Sequence, residues 1–258
     1  MQISKNNLEV DLRGKLADIM KHKVAELEQQ KTTKCCRDFA GALKNASGIG
    51  LIAEIKRASP SLGEINMSDK VEERARAYEF AGADAISVIT DSSFFNGDIS
   101  FLRRIRAAVG LPLLRKDFIF DEYQIYESKF YGADAVLLIA SILRVEQLRK
   151  LLELARTLGM SSLVEIHTID DAKKAVSVGA EMVGINSRDL RSFEINSGAF
   201  SALAPFLPKD KILIAESGIE NGSQSARLRD AGANCILVGT TLMRSDNLAE
   251  KIHELKLL

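Results

Sequence analysis

Four segments of the chain repeat one short pattern: AGADAISVI at 81–89, YGADAVLLI at 131–139, VGAEMVGI at 178–185 and AGANCILVG at 231–239. Each sets Gly-Ala-polar ahead of an apolar run, at intervals of about 50 residues. An amphipathic stretch such as KVEERARAYEFAG or QSARLRDAG leads into each glycine. The glycine therefore reads as a helix C-terminal cap that feeds a strand after a very short loop. Between these four strands lie four more, GLIAEIKR, LPLLRKDF, SSLVEIH and KILIAES. Eight near-continuous apolar strands alternating with helices signal a parallel sheet covered by helices, and the count matches a single-domain (β/α)8 barrel of the TIM type. An open doubly wound sheet is the competing α/β architecture, but it does not require a fourfold repeat of paired units.

Residues 1–48 stand outside the repeat and are expected to form an N-terminal helical extension, with residues 49–258 forming the barrel. In the extension, NLEVDLRGKLADIMKHKVAELEQQ reads as a charged amphipathic helix and RDFAGALKNA as a shorter one. A closed barrel has no sheet edge to cover. The extension is therefore expected to act as a lid across the carboxyl ends of the strands, and deleting it to leave a folded barrel with a raised KM.

A chain of 258 residues with 46% apolar content can bury a core of this size. Lys+Arg and Asp+Glu balance at 35 each, which offers no general field for nucleic acid or an anionic membrane, so an anion must be bound locally. The longest nearly apolar stretch, GADAVLLIASIL, is too short to span a bilayer, and the first residues lack the apolar segment of a signal peptide. A cytoplasmic location is the expectation. Cys35 and Cys36 are adjacent and Cys235 sits in an apolar run, so neither a disulfide framework nor a metal site is expected. The three histidines are scattered: His22 and His253 fall in helical stretches, and His167 reads as a hydrogen-bonded structural residue beside Glu165. Glycine loops for dinucleotides or nucleoside triphosphates are absent.

In such a barrel the active site lies at the carboxyl ends of the strands. Alternation places Glu54 and Lys56 on one face of the first strand, so both enter the barrel mouth. Other strands end at Thr90-Asp91 before Phe94 and Phe95, at Lys116-Asp117, Glu165, Asn186-Ser187-Arg188, Glu216-Ser217 and Gly239-Thr240. Any one of these could be a surface ion pair, but the set is hard to read so above uniformly apolar strands. Two lysines and three glutamates converging there suit proton transfer, while a Schiff-base lysine remains the other reading of the same residues. Ser217, Gly218, Gly239 and Thr240, in loops after the last two strands, suit a phosphate.

These residues carry a resemblance. LIAEIKRASPSLGEI is similar to the signature of the indole-3-glycerol-phosphate synthase family. LPLLRKDFI, LLIASIL, LVEIH, GINSRDLRSFEI, AESGI and LVGTTLM match that family in order, as does RDFAGAL in the extension. The resemblance implies a lyase of tryptophan biosynthesis. It closes an indole ring with loss of carbon dioxide and water from a carboxyphenylamino deoxyribulose phosphate, without metal or organic cofactor, as a monomer acting on a phosphorylated small molecule.

By the same resemblance, Lys116 is the leading general acid, Glu165 exchanges protons during loss of water, and Lys56 binds an anionic group and assists dehydration. Glu54 orients Lys56, while Asn186, Arg188 and Glu216 belong to the polar shell, with Arg188 gripping the substrate carboxylate. Ser59 and Pro60 shape a covering loop, and Phe95 and Phe118 pack on the aromatic ring. Ser187 and Ala215 depart from the frequent asparagine and serine at those positions, which touches fine positioning. A phosphoribosyl isomerase-like barrel would keep the phosphate loops without needing both charged strand ends. A non-catalytic binding barrel would be expected to have lost Lys56, Lys116 or Glu165, and all are present.

Overall fold

In the computed structural model, residues 36–59, 63–64, 70–189, 192 and 194–258 are described. Eight parallel strands close on themselves: β1 (Gly50–Ile55), β2 (Ala85–Ile89), β3 (Leu113–Lys116), β4 (Ala135–Ile139), β5 (Ser161–Ile166), β6 (Met182–Asn186), β7 (Ile212–Glu216) and β8 (Cys235–Val238). Each pairs with its neighbours in sequence, and β1 pairs with both β2 and β8, so no barrel edge is left open. Helices Val71–Phe80, Ser100–Ala108, Glu122–Tyr131, Val145–Thr157, Ile169–Ser177, Ala199–Leu203 and Gly222–Asp230 connect the strands, and Leu248–Lys256 follows the last. This is the (β/α)8 barrel that the eightfold alternation implies.

Strand alternation divides the apolar side chains into two sets. Ile52, Ala85, Leu114, Leu137, Leu163, Met182, Ile214 and Leu237 fill the barrel interior. Their neighbours, among them Leu51, Ile86, Leu113, Val136, Val164, Val183, Leu213 and Ile236, pack outward under the helices. Both sets are almost fully buried, which is why these strands read as continuous apolar runs.

The Gly-Ala-polar repeat acts at the amino ends of the strands. Gly82, Gly132, Gly179 and Gly232 all have positive φ, between 73° and 103°, and stop their helices in the left-handed conformation that favours glycine. In three of the four repeats the polar residue then clamps the preceding odd-numbered strand. Asp84 accepts from the Leu51 N–H at 2.8 Å, Asp134 from Leu113 at 2.9 Å and Asn234 from Leu213 at 2.8 Å. The main-chain N–H groups of the same three residues donate back to the carbonyls of Leu51, Leu113 and Leu213. Cations close two of these clamps: Lys256 donates to Asp84 and Arg106 to Asp134.

Helix α1 (Phe39–Lys44) is capped by Asp38, which accepts from Gly41 N–H, and belongs to the same unit as the barrel. Phe39 and Leu43 join the interior cluster beneath Ile52, Ala85 and Leu114, and Lys44 pairs with Glu181 just before β6. The Arg37 guanidinium donates to the carbonyl of Leu111, ahead of β3. Residues 36–44 thus plug the amino end of the barrel, opposite the mouth. The lid expected over the carboxyl ends is not formed by them, because two large apolar side chains find their burial in the open lower end of the interior. The longer helix expected before them lies outside the described residues.

Candidate active site

The inward-facing positions that are apolar in the lower barrel become charged at its carboxyl end. Continuing the interior alternation upward gives Glu54 and Lys56 from β1, Lys116 from β3, Glu165 and then His167 from β5, Asn186 from β6, Glu216 from β7 and Gly239 after β8. Glu54, Lys116, Glu165, Asn186 and Glu216 are set by strand parity, while Lys56, His167 and Gly239 directly follow their strand ends.

Lys116 lies at the centre. Its ammonium donates to Glu216 Oε2 in a short contact and lies 3.3 Å from Glu165 Oε2. Glu54, Glu165 and Glu216 are 5%, 2% and 1% exposed. Lys56 Nζ pairs with Glu54 Oε1 at 3.3 Å, which accounts for two opposite charges entering one interior from one strand. Two glycines make room for these carboxylates. A Cβ on Gly184 would overlap Glu216 Oε1, and one on Gly239 would overlap Glu54 Oε1. Gly184 is a site feature that the sequence reading missed, and its signal was a glycine at an inward position of a buried strand.

Three carboxylates against the Lys116 and Lys56 ammoniums carry surplus negative charge, and the titration of the cluster reflects it. Burial alone would lower the Lys116 pKa, but Glu216, Glu165 and Glu54 outweigh it and hold the ammonium protonated well above the usual lysine range. Burial pushes up Glu216 first, repulsion from Glu165 and Glu54 adds to it, and the attraction of Lys116 only partly offsets them, leaving the group at about 8. Glu165 is also opposed by burial, yet Lys116, His167 and Asn186 together bring it below the usual carboxylate value. The cluster therefore holds Lys116 as a cation and Glu165 as an anion, and raises Glu216 above both the usual carboxylate value and its neighbour. Glu216 Oε1 is buried without a hydrogen-bond partner among the described residues, which leaves it free to donate or accept.

Around the cluster, Phe95 is half-buried after β2 and Phe118 is 37% exposed after β3, on neighbouring sides of the mouth. Arg188 follows β6, its N–H donating to Asn186 Oδ1 at 3.0 Å and its backbone bridging to Ile195. Ser217 and Gly218 turn the chain after β7 with φ of 69° and 74°. Two successive left-handed residues, the first not glycine, are strain of the kind that collects at binding sites. The Thr241 hydroxyl donates to Ile219 O at 2.6 Å and ties this turn to the segment beginning Gly239-Thr240. Ser59 closes the short strand Ala58–Ser59, paired with Gly63–Glu64, and Pro60 lies outside the described residues.

Sequence reasoning also passed over Arg115 and Ser87. Arg115 points outward, between Lys116 and the helices, and is 4% exposed. It donates to Asp117, Glu127, Ser128, the Gln124 carbonyl and the Thr90 hydroxyl, anchoring the strand end that carries Lys116. Ser87 is fully buried at the register position opposite Glu54. His167, expected to be a hydrogen-bonded structural residue, has neither ring nitrogen hydrogen-bonded among the described residues.

A closed parallel barrel whose interior ends in an ammonium clasped by carboxylates places the chain among the (β/α)8-barrel enzymes. The family model described as indole-3-glycerol phosphate synthase matches residues 8–255. The chain is 47% identical over 218 residues to the indole-3-glycerol phosphate synthase of Endomicrobium trichonymphae, with 84% of each covered. It is 42% identical over 241 residues to that of Alkaliphilus metalliredigens, covering 93% of this chain and 90% of the relative. The chain belongs to the indole-3-glycerol phosphate synthase family. Among solved structures, a thiamine phosphate pyrophosphorylase from Pyrococcus furiosus shares the fold with a TM-score of 0.60 at 16% identity, over 82% of this chain and 95% of that one. An N-acetylmannosamine-6-phosphate 2-epimerase from Clostridium perfringens does so with 0.58 at 15%, over 78% and 91%.

Proposed function

We propose that the cluster around Lys116 carries out the ring closure of this family. It converts 1-(2-carboxyphenylamino)-1-deoxyribulose 5-phosphate to indole-3-glycerol phosphate, carbon dioxide and water, in tryptophan biosynthesis. The ring carbon that bears the carboxylate attacks the ketone carbon, and the Lys116 ammonium meets the oxygen on which negative charge develops. An ammonium held so firmly protonated is a weak acid toward a ketone. It becomes an effective donor only as the oxygen turns alkoxide-like, so its stabilisation is concentrated in the transition state. Loss of carbon dioxide then restores the aromatic ring. In the dehydration that follows, the hydroxyl leaves as water with a proton supplied by a site acid, assisted by Lys56, and Glu165 takes the proton released from the adjacent carbon.

Glu216 offers its Oε1, the carboxyl oxygen that has no partner among the described residues, and Glu54 and Asn186 hold Lys56 and Glu165 in place. Arg188 suits the substrate carboxylate through its planar fork. Phe95 and Phe118 suit the ring, and the Ser217-Gly218 and Gly239-Thr240 backbones suit the phosphate. Ser59, just beyond β1, is assigned to substrate binding, as is Pro60 from the resemblance alone. The reading includes a cytoplasmic monomer, and the equal numbers of basic and acidic residues support the absence of a nucleic-acid partner. Among the described residues no helix is long and apolar enough to cross a membrane.

The observation that carries the reading is the position of Lys116 between Glu165 and Glu216 in a chain of this family. The purified protein should turn over the synthetic ribulose phosphate with the growth of indole fluorescence, and Lys116→Met should reduce kcat by about 10²-fold or more with the fold retained. A folded wild-type protein that gives no fluorescence would sink the reading, and near-normal turnover in the variant would remove Lys116 from it.

A further inference from the structure

His167 is an inward-facing titratable group that this chemistry leaves unused. It follows β5 two residues beyond Glu165, so alternation aims both side chains into the mouth. Its backbone is pinned, with the N–H donating to Asp171 Oδ2 at 3.2 Å, and Asp171 belongs to the capping box with Thr168 that starts helix Ile169–Ser177. The ring is 12% exposed, and neither nitrogen has a hydrogen-bond partner among the described residues. Leaving both nitrogens of a buried imidazole unmatched costs stability that an apolar side chain would avoid. Nε2 stands 3.5 Å from Glu165 Oε1, just beyond hydrogen-bond range, while Oε2 of the same carboxylate faces Lys116. Glu165 thus has one oxygen turned toward the proposed acid and the other toward an imidazole at the rim.

The overall reaction supplies a reason for such a group. A substrate that enters as a carboxylate and leaves as carbon dioxide takes up one proton from solution per turnover. The ketone oxygen departs as water and needs two protons, whereas the carbon skeleton returns only one. The remaining proton must come from solvent to a site whose carboxylates are buried.

We infer that His167 is a proton-relay residue, acting through Glu165 and connecting that carboxylate with solvent. The imidazolium gives its Nε2 proton to Glu165 Oε1, which breaks the N–H bond, forms the carboxylic acid and leaves a neutral imidazole. Glu165 passes a proton from Oε2 to the Lys116 amine left after the ketone oxygen is protonated, which regenerates the ammonium and the carboxylate, and water or buffer reprotonates the ring at the rim. Imidazole suits the task because one ring nitrogen can give up a proton while the other accepts one. The charged groups facing it are Glu165 on its own strand, Lys116 behind Glu165, and Asp171 through the backbone. A ring rotation of a few tenths of an ångström closes the gap, as such bonds often tighten only once substrate is bound.

The inference rests on the proposed ring closure, and the test separates the two. His167→Ala, folded by circular dichroism, should lower kcat about tenfold or more with KM little changed. Added imidazole should restore kcat in proportion to its concentration while leaving the wild type unaffected. His167→Gln, which fills the same space without carrying a proton, should show the loss without the rescue. A wild type that turns over substrate beside His167 variants of equal kcat, or a loss that imidazole does not repair, overturns the relay alone. A wild type that does not turn over substrate overturns the ring closure and the relay with it.

Discussion

Glu216 shows how a side chain takes its character from its neighbours. Its carboxyl stands at about 8 in the folded protein against an ordinary 4.5, so across that interval the folded chain keeps a proton that the unfolded chain has released. Its stabilising contribution is full below about 4.5 and is lost as pH rises through 8. Glu165 runs the other way: its lowered value gives stability above 4.5 that is lost as pH falls through the folded value. Lys116, raised above 10.5, keeps its contribution throughout the neutral range. Glu216→Gln is permanently neutral, so the melting temperature of the variant relative to wild type should rise between pH 5 and pH 9. A gap that stays constant over that range would show that Glu216 is ionised throughout.

Helix α1 contributes to the barrel through Phe39 and Leu43, which are 0% and 3% exposed. Its six residues could not form a stable helix alone, so its order comes from the interior it plugs. Phe39→Ala would leave a cavity at the amino end of the barrel and should cost about 3–5 kcal/mol, read as a lower urea midpoint. KM should be unchanged in that variant, since the substituted side chain lies at the end opposite the mouth. A raised KM with an unchanged midpoint would restore the lid that the sequence alone suggested. Arg115 plays the corresponding part at the other end, where its donors join β3 to helix Glu122–Tyr131 and hold the strand end beneath Lys116.

Closure of the barrel brings the first and last strands together. β1 pairs with β8 from Gly50↔Cys235 to Ala53↔Val238, and the Ile49 N–H donates to the Lys256 carbonyl. The Lys256 ammonium donates to Asp84 Oδ1 at 2.8 Å and to the Gly82 carbonyl at 2.9 Å, with its side chain 4% exposed. The last helix is therefore fastened to the start of the second strand by a buried charge pair. Lys256→Met leaves Asp84, half-buried and still accepting from the Leu51 N–H, without its cation, and the urea midpoint should fall at constant m. A smaller m value would instead mean that the last helix had come loose as a separate unit.

The fold was legible because its signals are local. Period-two alternation, cap glycines and a repeated strand entry recur along the chain, and each needs only a few neighbouring residues to be recognised. The same alternation pointed Glu54, Lys56, Lys116, Glu165 and Glu216 toward one mouth, since residue type at a strand end is written in order. The direction of α1 was not legible, because an apolar helix face does not say which end of a barrel it will close. Nor could spacing show that Gly184 and Gly239 clear space for carboxylates, or that Arg115 looks outward to a helix. Lys116 meets Glu165 across 49 residues and Glu216 across 100. Which of those carboxylates keeps a proton depends on burial and on distances that exist only once the eight strands have closed.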